Sequence, residues 1–296
     1  MIDISMRELR YVAVLDRELN FTRAAAAIPM AQPALSQAIA RMERRLGVQL
    51  FRRTSRLVQP TAAGSLLAER ARAILQDTAL AVLDAQILGG TAKLRMYVAE
   101  PSLQLPRLVL GAIRAEVPIP VHQTSVPWNE VSDQLRTGEL AMALGPEVNG
   151  QGLVSELLRE ETVVVVMDQS HPLANRQILT IAMLAQHPTV SIDRTMSSWD
   201  MTVERMFERA DYTPWWTEST AFGAVAAADL VADGVSTLLA LESITADQPQ
   251  GRVCRPLSIP WTEGWFLSYR AASQELPAVA AAAAAARSVL GADVYS

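Results

Sequence analysis

The sequence predicts an α/β protein in two parts. A small helical head ends in a β-hairpin, one long helix follows, and the rest is a two-lobed α/β domain. Three observations predict this. Asn20–Gly64 reads as a short helix, a breaker, a second helix and a basic hairpin. From Thr61 to about Leu88 apolar and small residues recur at three- and four-residue spacing, as in one continuous helix. From Ala92 onward, short apolar or β-branched runs alternate with amphipathic stretches, the pattern of repeated βα units. The chain has 296 residues, enough for two domains, and is 50% hydrophobic, as expected of a soluble globular protein. The expected division is a head over 1–60, a linker helix over 61–90 and an α/β domain over 91–296. Within that domain one lobe takes about 91–161 and 266–296, the other about 162–265.

In order, Ser5-Met6-Arg7-Glu8 forms a capping box for a first helix, with Leu9, Val12 and Ala13 facing inward. Asn20 is a good N-cap for FTRAAAAI, whose Ala24, Ala25 and Ile28 let another helix cross closely. Pro29-Met30-Ala31-Gln32 breaks the chain before the second helix, Pro33–Leu46. Its two faces separate. Leu35, Ile39, Met42 and Leu46 make one apolar stripe, while Pro33, Ser36, Gln37, Ala40, Arg41 and Arg44 make a small, polar, basic face. Such a face suits a DNA major groove: Gln reads adenine bidentately, Arg reads guanine, and short Ser lets the helix sit close. An ordinary amphipathic surface helix would show the same two faces. Its flanks favour the DNA reading, because helix, short turn and helix with small crossing residues is the helix-turn-helix pattern. Leu50–Thr61 then fits a small hairpin wing with Arg52, Arg53 and Arg56 near its tip.

Net charge is −5, but it is unevenly distributed. Residues 1–64 carry ten Arg and five acids, leaving 16 basic and 26 acidic residues for the remainder. The basic charge therefore sits in the head, where nucleic-acid binding needs it.

These residues resemble the winged helix-turn-helix of the LysR-type transcriptional regulators. The matching runs are F-T-R-A-A-A, Q-P-A-L-S-Q-A-I, Met42-Glu43, L-G-V-Q-L-F-R-R-T and P-T-A-A-G, in that order. Ala31 departs from the pattern, since the family has Ser or Thr there to cap the second helix. Losing a cap costs about 1 kcal/mol, so Gln32 or water is expected to serve that N-terminus. The resemblance implies that Gln32, Pro33, Ser36, Gln37 and Arg41 meet base edges or nearby phosphates. Thr22 and Arg23 would contact the backbone, with Arg53 and Arg56 at the wing. It also implies double-stranded DNA, a small-molecule effector and further copies of the chain, as a homodimer or homotetramer, for partners, with RNA polymerase as an additional one.

The linker stripe runs Leu67, Ala71, Ile74, Thr78, Ala81, Val82 and Ala85. It either packs on the chain's own α/β domain or pairs with the same helix of a second copy. Two-fold symmetric DNA sites favour the pair. Gly89-Gly90 breaks the helix.

Beyond it the expected strands are Leu94–Ala99, Ile119–Ser125, Ala141–Leu144, Thr162–Met167, Thr189–Ile192, Trp215–Thr217, Ser236–Leu239 and Trp265–Tyr269. The expected helices run from Pro101-Ser102 to about Arg114, and over Trp128–Thr137, Ser198–Ala210, Ala221–Ala232 and Leu276–Leu290. Thr162–Met167 is read as a crossover strand into the second lobe. Two lobes joined by crossing strands resemble the periplasmic-binding-protein fold that the family uses for its effector domain. Leu105-Pro106, Leu135 with Gly138-Glu139-Leu140, and His171-Pro172-Leu173-Ala174 are further landmarks, while Ala141, Gly234-Val235-Ser236 and Ala240 depart from the pattern.

Ligands in open α/β lobes bind at the carboxyl ends of strands, against helix N-termini. That rule nominates Ser102, Ser125 through Trp128, Pro146, Ser197, Ser198 and Thr220. Each Ser or Thr alone is as well explained by helix capping; together they outline a cleft. Trp128 and Trp199 would serve as an aromatic wall or as core residues. Glu100 and Glu147 lie near the same ends and would oppose an anion if they face inward.

No cofactor, metal site or catalytic constellation is expected. Cys254 is the one cysteine, which rules out a disulfide within the sequence. His122, His171 and His187 lack metal-ligand spacing, and His171 reads as a surface turn residue. Lys93 is the one lysine, so there is no Gly-x-x-x-x-Gly-Lys phosphate loop. With no leader pattern in MIDISMRELR and no apolar run long enough to span a bilayer, the expected compartment is the cytoplasm, away from membranes. The competing reading is a solute-binding sensor whose basic head binds a protein.

Overall fold

The computed structural model describes residues 4–53, 58–247 and 251–289. It divides into two compact units, Met1–Leu83 and Asp84–Ser296.

The first unit begins with helices α1 (Met6–Glu18), α2 (Phe21–Ala27) and α3 (Gln32–Leu46). A hairpin of β1 (Phe51–Arg53) and β2 (Val58–Pro60) follows, and then α4 (Ala62–Leu88). The capping box forms: Glu8 N–H donates to Ser5 Oγ at 3.3 Å and Ser5 N–H donates to the Glu8 carboxylate at 2.9 Å. Asn20 Oδ1 accepts the N–H groups of Thr22 and Arg23 at 2.9 and 3.0 Å. α3 starts one residue earlier than expected. Gln32 is therefore its first residue and Pro33 its second, and Ala31 supplies no side-chain cap. Leu35, Ile39 and Met42 are fully buried against Val12, Leu15, Ala24, Ala25, Leu50 and Phe51. The tip of the hairpin, with Arg56, lies outside the described residues.

Gly64, in the first turn of α4, lies against the backbone of Leu50 just before β1, and a Cβ there would collide with the Leu50 carbonyl oxygen. The expected linker stripe is not one continuous free face. Ala71 is buried against Leu9 and Ala13, with Leu67 packed beside them, so the first turns complete the head's core. Ile74 and Val82 farther along are 45% and 53% exposed.

The second unit continues with β3 (Leu94–Val98), α5 (Gln104–Glu116), β4 (Val121–Thr124), α6 (Trp128–Thr137) and β5 (Met142–Gly145). Next come β6 (Leu153–Asp168), α7 (Ile181–Leu184), β7 (Pro188–Ile192), α8 (Trp199–Glu208), β8 (Trp215–Ala221) and α9 (Ala224–Leu230). It closes with β9 (Leu238–Leu241), β10 (Arg252–Pro256), β11 (Thr262–Arg270) and α10 (Pro277–Ser288). The first lobe's sheet runs β6-β11-β5-β3-β4, with β3 parallel to both β4 and β5. In the second lobe β6 lies between β9 and β10, and a Thr189–Thr237 bridge brings in the parallel pair β7-β8.

β6 therefore belongs to both lobes. Leu153–Thr162 pairs with β11, and Val163–Val166 pairs with β9. Only the second half has a strand-like sequence pattern. Val163–Met167 is a β-branched apolar run, whereas Leu153–Glu161 carries four charged residues and is mostly half-buried, with no clean alternation. β10 was not anticipated either, since Arg252, Arg255 and Pro256 suit an edge strand more than a core one. α5 starts at Gln104 instead of Pro101, because Glu100 adopts a left-handed φ of +44° and the next residues turn. α9 starts at Ala224 instead of Ala221, because β8 extends to Ala221.

His171 corrects another expectation: it is 2% exposed, not a surface turn residue. Its Nδ1 accepts the Leu173 N–H at 3.1 Å, leaving Nε2 to donate to the Val235 carbonyl at 3.0 Å. Burial first of all, and then His187 beside it, lowers its pKa. Among the described residues no helix is long and apolar enough to cross a membrane.

Candidate functional site

Two surfaces carry candidate functional residues, one in each unit. In the head, α3 buries its apolar stripe and leaves Gln32, Pro33, Gln37, Arg41 and Arg44 exposed, with Ser36 and Ala40 half-buried among them. Thr22 and Arg23 are exposed on the first turn of α2, where Arg23 Nη2 also donates to the Glu18 carbonyl at 2.6 Å. Arg53 is in β1, and its side chain and Arg56 lie outside the described set.

Neighbouring charges sort the basic run further. Glu43, the acid within Arg41–Arg56, turns inward and accepts the N–H groups of Leu50 and Phe51 at 2.9 and 3.0 Å. It fixes the turn from α3 into the hairpin and leaves the face around Arg41 basic. Arg45 reaches back to Glu8 at 2.7 Å and so belongs to the α1 contact. Burial alone would raise the Glu8 pKa, yet hydrogen bonds from Ser5 and the Arg45 guanidinium hold it below the ordinary value. Of the arginines along α3, Arg45 is thus turned to the head's own structure while Arg41 stays on the exposed face.

In the second unit a cleft of about 440 Å³ opens between the lobes. The first lobe lines it with Tyr97 through Ser102 and with Ser125 and Val126; the second supplies Ile192, Asp193, Met196, Ser197, Phe222 and Gly223. A recess of about 50 Å³ shares Tyr97, Ala99, Glu100 and Ser197 with it and adds Pro146, Ser198, Trp199 and Glu263. The structure thus brings together Ser102, Ser125 and Ser197 in the cleft, and Pro146 and Ser198 with Ser197 in the recess. Trp128 is not part of either wall. It packs in the first lobe's core, 6.1 Å from the Tyr97 ring, and supports the residue that does line the cleft. Thr220 is also outside, exposed within β8 and paired with Ser191, because that strand runs on beyond it. Glu147 is exposed and lines neither cavity.

Glu100 is the cleft residue whose geometry the sequence did not disclose. Its Oε2 crosses to the second lobe and accepts the Ala224 N–H at the start of α9, at 2.7 Å. Burial raises its pKa, and the Ala224 bond lowers it in part. The neighbouring Tyr97 hydroxyl is pushed up to about 12 by burial and by the Glu100 charge. Gly223 makes the contact feasible: its φ is +87°, and a Cβ there would lie 3.2 Å from Glu100 Oε2. Asp193, on the opposite wall, is held below its ordinary pKa by hydrogen bonds from the Thr195 hydroxyl and N–H. Ser197 caps α8 by accepting the Trp199 N–H at 3.1 Å, so it serves both the helix and the wall.

Comparison with known proteins gives these surfaces a context. Residues 6–65 match the bacterial regulatory helix-turn-helix model of the lysR family, and residues 92–291 match the LysR substrate-binding domain model. YybE of Bacillus subtilis, an uncharacterized HTH-type transcriptional regulator, is 28% identical over 279 residues, covering 88% of this chain and 93% of its own. YnfL of Escherichia coli, also an uncharacterized HTH-type regulator, is 33% identical over 199 residues, covering 65% of this chain and 67% of its own. Among solved structures, a hydrogen-peroxide-bound OxyR mutant from Corynebacterium glutamicum superposes with a TM-score of 0.59 at 23% identity, covering 97% of this chain and 92% of that one. With a winged head that buries one side of α3 and a substrate-binding domain matched along nearly its whole length, the chain belongs to the LysR-type family of DNA-binding transcriptional regulators.

Proposed function

We propose that this regulator reads its operator through the exposed face of α3 and takes its instruction from a small molecule held between the two lobes. The observation that carries the first part is the division of α3: Leu35, Ile39 and Met42 are fully buried while Gln32, Pro33, Gln37 and Arg41 stand in solvent. In this reading Gln32, Pro33, Ser36, Gln37 and Arg41 meet base edges or phosphates, Thr22 and Arg23 hold the backbone, and Arg53 and Arg56 form the wing contact.

The proposal assigns 1–60 to the head, 61–90 to the linker and 91–296 to effector binding, with lobes at about 91–161 and 266–296 and at 162–265. The exposed Ile74 and Val82 of α4 support pairing of two copies along that helix, as a dimer or a dimer of dimers. Effector binding then changes the spacing of the paired heads on DNA and what they present to RNA polymerase, in the cytoplasm. In this reading the effector is bound and leaves unchanged.

A gel-shift experiment with DNA from beside the protein's own gene tests the proposal. The expected result is a salt-sensitive, sequence-selective shift. A shift insensitive to sequence, or none, would reject operator reading and favour a head that binds protein.

A further inference from the structure

The charge of the cleft determines what it can hold. Glu100 enters from the first lobe and Asp193 from the second, while Glu263 of the adjoining recess is met by Arg205 at 3.8 Å and accepts the Trp261 indole N–H at 2.7 Å. No Arg, Lys or His lines either cavity among the described residues. Arg194 follows Asp193 in sequence, but its guanidinium is committed to Asp200 and Glu204, both at 3.1 Å, and lies over the Trp216 ring.

A carboxylate ligand needs N–H donors or a cation to replace its water. The N–H that begins α9 is already taken by Glu100 Oε2. An incoming anion would displace that contact and then face two carboxylates with no compensating charge. A cation meets the opposite situation. It gains from both walls at once, and its attraction to each draws the two lobes together. Aromatic faces add to this: Tyr97 lines the cleft, and Phe222, 81% exposed, stands at its edge with nothing covering it.

On the reading that the cleft holds the effector, we propose that this effector is a cationic amine with an apolar or aromatic body, and that the site rejects carboxylates. Asp193 and Glu100 supply the counter-charge from opposite lobes, Ser102, Ser125 and Ser197 supply hydrogen bonds, and Phe222 covers the apolar end.

The test uses the full chain and three matched pairs of probes in thermal-shift and calorimetric titrations: phenethylamine against phenylpropanoate, tryptamine against indolepropanoate, and putrescine against succinate. At least one amine is expected to bind and raise the melting temperature, with no response to its matched acid. Glu100→Gln and Asp193→Asn should each weaken that amine about tenfold, equivalent to about 1.4 kcal/mol. The amide oxygen at position 100 would still accept the Ala224 N–H, so the first variant keeps the fold's own contact. Ser125→Trp, which fills the cleft from an exposed loop, should abolish binding. If an acid binds the native chain as well as its amine, and Ser125→Trp abolishes both, the charge proposal fails while the cleft remains the effector site. If an amine binds and neither Ser125→Trp nor Glu100→Gln changes its affinity, binding lies elsewhere and the cleft reading fails with it. No response to any of the three amines also overturns the proposal.

Discussion

Gln37 and Ile39 are two residues apart on α3, yet one is exposed and the other is completely buried. That contrast gives Gln37 a role separable from folding. Gln37→Ala is expected to relax base preference at one operator position by about 1–3 kcal/mol, measured by fluorescence anisotropy on single-base operator variants. An equal loss on every sequence would contradict direct reading. Glu100 carries a different prediction. Because burial raises its folded-state pKa above the ordinary 4.5, the folded protein binds the proton more tightly than the unfolded chain. Its contribution to stability is therefore present below pH 4.5 and is lost as pH rises through the folded value. Glu100→Gln removes this loss. The variant is expected to melt above the native protein near neutral pH, with the gap closing toward acid pH in calorimetric scans.

Elements meet where small residues let them. Gly223 connects β8 to α9 with φ +87° and leaves room for the Glu100 carboxylate. Gly223→Ala is expected to destabilise the second unit by about 1 kcal/mol or more, since a Cβ at positive φ is strained and crowds that contact. Denaturant titration of the unit's unfolding checks this. The head's elements were legible in sequence because their signals are local: Ser5 and Asn20 cap, Gly47 stops α3, and the stripe at Leu35, Ile39 and Met42 has helical period. In the α/β domain the order of strands and helices could be read, but several boundaries could not. The first half of β6 owes its strand form to pairing with β11 about a hundred residues away, which no local pattern records. The same distance hid the site. Serines at strand ends identified the cleft's rim, whereas the Glu100–Ala224 contact joins residues 124 apart in sequence. Trp128 and Thr220 were misplaced because proximity to a strand's end does not fix which side of it a side chain takes.

For the whole molecule the dominant feature is charge segregation, with a basic head on an otherwise acidic chain. Operator binding should therefore weaken steeply with salt, and Arg41→Ala is expected to reduce the log–log salt slope by about 1. Anisotropy titrations over a salt series give that slope; an unchanged value would place Arg41 away from phosphates. The ribbon of β6 and β11 has a consequence of another kind. β6 runs through both lobes, and β11 pairs with its first-lobe half, slipping register between Trp265 and Phe266, beside Gly264. Only over Thr262–Trp265 and Arg159–Thr162 do the two strands pair without a third beside them, so cleft closure is expected to twist the pair there. At the far end of β11, Arg270 is buried and holds Asp84 of α4 at 3.1 Å. On the proposed reading, this strand pair would link the cleft at one end to Asp84 of the linker helix at the other. Asp84→Asn is expected to release that link: ligand affinity in calorimetry should persist, while the ligand's effect on operator binding should diminish. A ligand response of native size in that variant would show that the signal leaves the domain by some other route.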